Sequence, residues 1–327
     1  MQQYRVAVLR GGPSEEYDVS LRTGARVLEA LDRELYEPLD VVITKSGEWL
    51  LKGRTRAPQE IIGSIDLAFI ALHGVYGEDG AVQHLLDTMN VPYTGSAAFP
   101  SAIALKKAIT KEKLANAGVC MPRHMLVGSS AQANTEGLVE SISELFGPRY
   151  VVKPINGGSS IGTHIANNTQ ELYVVLGKML SQYEQVLVEE FIDGREATCG
   201  VINNFRGQQL YVLPVVEIIP QSDTLFFNYE AKYNGKTEEI CPGHFSREEK
   251  DELERVAKLA HETLGLSQYS RSDFIVARDG IYFLEVNALP GLTSECPLPK
   301  ALDAVGCTCK DFVQHLIADA LETKNRR

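Results

Sequence analysis

The sequence predicts a chain that is α/β at its N-terminus and α+β beyond it, with a parallel sheet under covering helices first and antiparallel strands later. Two patterns point there. Strand-like and helix-like runs alternate over the first ninety residues, and three strand-like runs crowd between residues 186 and 219 with only short turns between them. At 327 residues, 44% hydrophobic and 23% charged, the chain has room for two or three globular domains of ordinary size.

The elements follow in order. Strand-like runs at 5–9, 39–44 and 66–72 alternate with helical patterns at 19–31 and 81–89, the βαβ rhythm of a parallel sheet. The first strand runs into RGGPSEE, a glycine turn before a helix, where free N–H groups and the helix dipole favour an anion. A dinucleotide site would need G-x-G-x-x-G at this turn, and that pattern is absent. Residues 101–117 form a lysine-rich helical stretch, broken by Gly118-Val119-Cys120-Met121-Pro122, and a domain boundary falls near residue 100. A second α/β segment contains a strand at 150–154. The runs 186–191, 196–202 and 210–219 suggest one antiparallel sheet. A long helix at 247–264 precedes strands at 272–277 and 281–287, joined by Arg278-Asp279-Gly280, and a helix at 310–323 closes the chain.

Composition excludes several classes of function. A formal net charge of -11 argues against a nucleic-acid or acidic-membrane partner, because phosphate backbones need a clustered basic face. Apolar runs are shorter than the roughly 20 residues that span a bilayer, and the start MQQYRVAVL lacks a signal-peptide layout, so a cytoplasmic protein is expected. The six cysteines contain no C-x-x-C pair and read as reduced thiols rather than a zinc site.

Three stretches carry chemistry. In YVVKPINGGSSIG, residues 150–162, a lysine ends a strand and a Gly-Ser loop follows, an arrangement that suggests phosphate. The lysine precedes the glycines, so this is not a P-loop. In SRSDFIVARDGIYFLEVNALPG, residues 270–291, Glu285 and Asn287 project from one face of a strand. If Arg278-Asp279-Gly280 is a three-residue loop, Asp273 lies opposite Glu285, and two carboxylates with an amide oxygen suit Mg²⁺. A two-residue turn would put Asp273 on the other face. In VLVEEFIDGREATC, residues 186–199, a strand ending in two glutamates either presents a backbone edge to a planar base or forms a sheet-edge hairpin.

Together these stretches resemble the ATP-grasp enzymes, in which two α+β domains grip ATP and two Mg²⁺ behind a Rossmann-like N-terminal domain. GGPSEEYDVSL near the start, ALHGVYGEDG at 71–80, YTGS at 93–96, KPINGGSSIG at 153–162, YEAKY at 229–233 and EVNALPGLTS at 285–294 resemble the D-alanine:D-alanine ligase family over almost the whole chain. The resemblance implies domains at 1–100, 101–188 and 189–327. It implies that Lys107, rather than its neighbour Lys106, and Lys153 hold the ATP phosphates. Glu189 and the backbone of Glu190, Phe191 and Ile192 would read adenine, Glu196 the ribose, and Lys232 the γ-phosphate. Asp273, Glu285 and Asn287 become ligands of two Mg²⁺, with Mn²⁺ as a substitute.

The same resemblance implies ATP-dependent joining of two D-alanines for peptidoglycan synthesis. Glu16 would bind the ammonium of the first D-alanine and connect through Ser159 to Tyr233, with His73 near that substrate. Arg271 and the N–H of Gly291 would stabilise the tetrahedral oxyanion. Family members usually carry Ser-Leu where this chain has Cys296-Pro297, so Cys296 meets the carboxylate of the second substrate with a weaker donor. Asn228 and Glu190 stand where aspartate and lysine are frequent. A homodimer is the implied assembly. The alternatives are a ligase taking D-lactate or D-serine second, and a nucleotide-binding homologue without turnover.

Overall fold

The computed structural model describes residues 3–155, 162–220 and 237–325. Three sheets organise it, and the cavity described below lies where the second and third face each other.

The first sheet is built from β1 (Tyr4–Gly11), β2 (Tyr36–Ile43), β3 (Trp49–Leu51), β4 (Arg54–Arg56) and β5 (Leu67–Ile70), in the order β4-β3-β2-β1-β5. The pairs β1–β2 and β1–β5 are parallel, as the alternating pattern predicts. Val6, Ala7, Val8 and Leu9 of β1, flanked by β2 and β5, are wholly buried, which is why this strand reads as an unbroken apolar run. Helices α1 (Tyr17–Ala30), α2 (Pro58–Ile62) and α3 (Ala81–Thr88) belong to this unit.

The glycine turn after β1 departs from expectation. Gly11 and Gly12 have φ of +91° and +94°, and a Cβ on Gly11 would lie 2.3 Å from the carbonyl oxygen of Ile43, so glycine is required. Their N–H groups are already spent on Ser20 Oγ, at 2.8 Å, and Ile43 O, at 2.7 Å. The turn therefore offers these donors to no anion.

The expected helix at 101–117 is two helices, α4 (Ala98–Leu105) and α5 (Lys107–Asn116), broken at Lys106 with ψ of 92°. Ile103 O accepts from Lys106 N at 3.0 Å, a tightened last turn, and from the Thr110 hydroxyl at 2.9 Å, which ties the two helices across the break.

The second sheet contains β6 (His124–Gly128), β7 (Tyr150–Pro154), β8 (His164–Ala166) and β9 (Gln185–Glu190), all antiparallel in the order β6-β9-β7-β8. Between its strands run α6 (Thr135–Leu145) and α7 (Thr169–Gln182), whose Ile142, Leu172 and Met179 close its core. The third sheet holds β10 (Arg195–Phe205), β11 (Gln208–Val212), β12 (Val216–Ile219), β13 (Glu238–Ile240), β14 (Tyr269–Ala277) and β15 (Gly280–Asn287). Its order is β13-β12-β10-β14-β15, with β11 on the far half of β10. The run expected at 210–219 is thus two strands, interrupted at Leu213-Pro214-Val215, where Pro214 supplies no N–H.

Nor do the runs 186–191 and 196–202 share a sheet. β9 is an interior strand of the second sheet, flanked on both sides, and residues 191–194 carry the chain across to β10 in the third. This corrects the sheet-edge hairpin reading, because period-2 patterning marks a strand but not its neighbours, while residues 190–194 border the cavity.

Helix α8 (Arg247–Thr263), opened by a capping box of Ser246 and Glu249, packs under the third sheet. Helices α9 (Pro297–Ala304) and α10 (Cys309–Asn325) end the chain, and Phe312, Val313, Leu316 and Ile317 of α10 share one core with β1 and β5. No helix of the described residues is long and apolar enough to cross a membrane.

Candidate active site

The β14–β15 hairpin assembles the acidic face. Arg271 and Asp273 lie two apart on β14, and their partners on β15 are Asn287 and Glu285. The predicted pairing of Asp273 with Glu285 is therefore present, but by another route. Ala277 pairs with Gly280, so the turn holds only Arg278 and Asp279, and regular pairing would set Asp273 opposite Leu284. The register shifts between Asp273 and Phe274, with Leu284 as the extra residue, and the bulge restores the shared face.

Charge is tightly balanced there. Arg271 is half-buried and donates to both oxygens of Asp273 at 2.9 Å, and the Thr198 hydroxyl donates to Oδ1 at 2.6 Å. Burial works against the Arg271 charge, yet Asp273 outweighs it and raises the pKa. Asn287 Nδ2 donates to Asp273 Oδ2 at 3.3 Å, and Glu285 Oε2 lies 3.4 Å from Lys107 Nζ. Two carboxylates and an amide, all oxygen donors balanced here by Arg271 and Lys107, fit a hard divalent cation. Among the described residues no group of three or more His, Cys, Asp or Glu gathers at a metal-binding distance.

The lysines approach from the opposite wall. Lys153 sits near the end of β7, its Nζ 2.6 Å from Glu189 Oε2. Lys107, the first residue of α5, lines the cavity, whereas Lys106 at the helix break is exposed. Glu189 turns its carboxylate to two lysines, Lys153 and the buried Lys111, rather than to open space. Burial opposes its charge, but Lys111 and then Lys153 prevail and hold its pKa down at about 2.

Next to it, the Glu190 carboxylate is bound by Arg123, through the backbone N–H at 2.8 Å and Nε at 2.7 Å. The ring of Phe191 lies beneath the Arg149 guanidinium at 3.7 Å. Phe191, Ile192 and Glu196 border a cavity of about 500 Å³ whose apolar walls include Val151, Ile275 and Leu284. Those three walls are invisible in the sequence, where each is one more apolar strand residue.

Glu16, His73, Gly291 and Cys296 line the same cavity. Glu16 is buried at the start of α1. His73 Nδ1 lies 2.9 Å from Leu289 O, which can only accept, so Nδ1 carries the proton and Nε2 accepts from the Thr23 hydroxyl at 2.9 Å. Burial lowers the His73 pKa and keeps this neutral form. Glu78, not foreseen in the sequence, accepts from Gly74 N at 2.7 Å and Leu289 N at 3.0 Å. Burial first, and then the nearby Glu16 carboxylate, push its pKa up to about 7. His73 and Glu78 thus hold both backbone polar groups of Leu289, inside the segment that joins Asn287 to Gly291.

Cys296 is buried, with Sγ 3.2 Å from Thr293 Oγ1, and burial raises its pKa. A Cβ on Gly291 would lie 2.6 Å from that sulfur, so the two residues are packed against each other. Ser159, Lys232 and Tyr233 lie outside the described residues.

Two antiparallel sheets closing on a cavity lined by lysines and an acidic hairpin, behind a parallel-sheet unit, define an ATP-grasp fold. Family models for the D-ala D-ala ligase N-terminus and C-terminus match residues 5–62 and 52–96, and residues 114–318. A D-alanine–D-alanine ligase of Geobacter sulfurreducens is 38% identical over 97% of this chain and 94% of its own. The solved D-alanine–D-alanine ligase of Bacillus anthracis complexed with ATP superposes at a TM-score of 0.80, with 28% identity over 99% of each chain. A D-Ala:D-Ser ligase of Enterococcus faecalis reaches 0.81 at 27% identity, over 97% of this chain and 99% of that one. The chain belongs to the D-alanine–D-alanine ligase family.

Proposed function

We propose that the protein joins two D-alanines to D-alanyl-D-alanine at the expense of ATP, for peptidoglycan synthesis. One observation carries the assignment of the site: Arg271, Asp273, Glu285 and Asn287 meet Lys107 and Lys153 across a single cavity.

A carboxylate cannot be attacked by an amine while its leaving group is oxide. The γ-phosphoryl of ATP therefore passes to a carboxylate oxygen of the first D-alanine, with ADP as leaving group, to give an acyl phosphate. Lys107 and Lys153 hold the phosphates during transfer, and the family resemblance assigns Lys232 to the γ-phosphate. Asp273, Glu285 and Asn287 would hold Mg²⁺, which supplies charge neutralisation to the phosphates when bound.

Glu16 binds the ammonium of the first D-alanine, with His73 behind the subsite, and the family resemblance assigns Ser159 and Tyr233 to the same group. The amine of the second D-alanine, its carboxylate near Cys296, then attacks the acyl carbon. The tetrahedral oxyanion rests on Arg271 and Gly291 N–H, donors of a kind typically worth about 3 kcal/mol each. Phosphate leaves, the amine loses a proton, and the peptide bond is complete. Adenine packs between Val151, Phe191, Ile275 and Leu284, against the backbone that follows Glu190, and Glu196 binds the ribose.

A cytoplasmic homodimer is the corresponding setting, supported by the family resemblance and testable by sedimentation velocity. The division at 1–100, 101–188 and 189–327 is testable by limited proteolysis; its boundaries fall inside α4 (Ala98–Leu105) and inside β9 (Gln185–Glu190), a strand of the second sheet.

The deciding assay is phosphate release from Mg-ATP with D-alanine, L-alanine, D-serine or D-lactate, with products separated by mass. D-alanine alone should support turnover and yield D-alanyl-D-alanine. A dominant D-alanyl-D-serine or D-alanyl-D-lactate product reassigns the second subsite, and no turnover with any substrate overturns the enzyme.

A further inference from the structure

Lys111 stands one helical turn beyond Lys107 on α5, so both lysines leave the same helix face toward the nucleotide end of the cavity. Their surroundings differ. Lys107 lines the cavity, whereas the Lys111 side chain is only 1% exposed and lies behind the cavity wall. Its Nζ is 2.7 Å from Glu189 Oε1, while Glu189 Oε2 is 2.6 Å from Lys153 Nζ. One buried carboxylate thus bridges two ammonium groups, and the cluster carries one positive charge more than it neutralises.

The asymmetry matters when a phosphate arrives. Lys153 faces the cavity and can exchange its carboxylate oxygen for a phosphate oxygen; Lys111 cannot reach one. If Glu189 had Lys153 as its sole partner, that exchange would strand a buried carboxylate, and breaking a buried ion pair is typically worth several kcal/mol. Lys153 would then stay where it is.

We propose that Lys111 is the standing countercharge of Glu189, a positioning residue that frees Lys153 to bind nucleotide phosphate. This rests on Lys153 being a phosphate ligand, as proposed above. Lys111 touches no substrate. It sets the free-energy difference between Lys153 docked on Glu189 and Lys153 docked on phosphate.

The test is direct nucleotide binding by the full chain, with titration calorimetry of Mg-ADP and of a non-hydrolysable ATP analogue, alongside steady-state kinetics. In Lys111→Met the Kd for both nucleotides should rise at least tenfold, with the KM for D-alanine unchanged within twofold. Lys111→Arg, which keeps the charge, should recover most of that loss. The decisive comparison is made without the carboxylate. In a Glu189→Gln background, adding Lys111→Met should change nucleotide affinity by less than about twofold, because there is no charge left to counter.

Unaltered nucleotide affinity in a folded Lys111→Met variant overturns the proposal. So does a tenfold loss on adding Lys111→Met to Glu189→Gln, which would mean that Lys111 acts by another route. If Lys111→Met alone does not fold, the comparison within the Glu189→Gln background still decides, since the double variant buries no unpaired charge and the Lys111 ammonium left behind in Glu189→Gln can shed its proton. Wild-type protein that binds neither nucleotide would sink the ligase assignment instead, so the two failures are separable.

Discussion

Cys296 shows how one residue can test a subsite. Its sulfur is buried against Gly291 and Thr293 at the end of the cavity expected to take the second D-alanine, and burial keeps it a thiol, a weak donor. Cys296→Ser should lower the KM for the second D-alanine a few-fold, if the better hydrogen bond is worth about 1 kcal/mol. Initial rates over a wide range of D-alanine separate the two KM values, and an unchanged or higher one would show that another group binds that carboxylate. Glu78 makes a second case. It anchors the Leu289 N–H across 211 residues of chain, inside the segment that joins Asn287 of β15 to Gly291. Glu78→Ala leaves that buried donor unpaired, a loss of about 1–3 kcal/mol that falls on the segment's geometry. kcat should drop roughly tenfold or more, with nucleotide Kd little altered. A fall in nucleotide affinity with kcat intact would place Glu78 elsewhere in the mechanism.

At the scale of the element, the β14–β15 hairpin decides the chemistry. Its two-residue turn and its bulge each shift register by one, and together they return Asp273 and Glu285 to one face. Removing either carboxylate breaks the Arg271–Asp273 or the Lys107–Glu285 ion pair and leaves the phosphate charge uncompensated. Asp273→Ala and Glu285→Ala should therefore abolish turnover while circular dichroism stays that of the wild type. Wild-type rates in either variant at saturating Mg²⁺ would remove the hairpin from the metal site. The break between α4 and α5 has a similar effect on position: Lys107 becomes the first residue of a new helix, and its one-turn neighbour Lys111 reaches Glu189.

For the whole molecule, buried titratable groups set how stability depends on pH. His261 bridges Ser270 Oγ and Asn203 Oδ1, each at 2.7 Å, and burial lowers its pKa to about 4. The unfolded chain takes up that proton near pH 6.5 and the folded one only near 4. The stability contributed by neutral His261 is therefore complete above pH 6.5 and lost as pH falls toward 4. Glu78 has the opposite sign in an overlapping window, because the folded state keeps its proton up to about pH 7 and stability falls as pH rises from about 4.5. Thermal melts from pH 8 to 4 test this. Whatever its offset at pH 8, His261→Gln should gain stability relative to wild type as the pH is lowered. A difference independent of pH would mean that His261 does not titrate in this window.

Periodicity and spacing by themselves determined the parallel-sheet start, the strands β1, β2, β5, β7, β9, β10, β14 and β15, the shared face of Glu285 and Asn287, and the ordered motifs that carry the family resemblance, but not β6. Those are local properties: a face depends on residues two apart, and a helix on residues three or four apart. Tertiary structure alone decided the rest. It assigned β9 and β10 to different sheets, split the helix at Lys106, replaced a three-residue loop with a tight turn and a bulge, and closed the glycine turn to anions with Ser20 and Ile43. It also singled out Lys111 from the neighbouring Lys113, and Glu78 from Asp79. The physical reason is the same in each case: burial and charge pairing depend on what arrives from distant parts of the chain. Glu189 acquires its low pKa from Lys111 and Lys153, brought to it by α5 and β7, and no window of sequence contains all three.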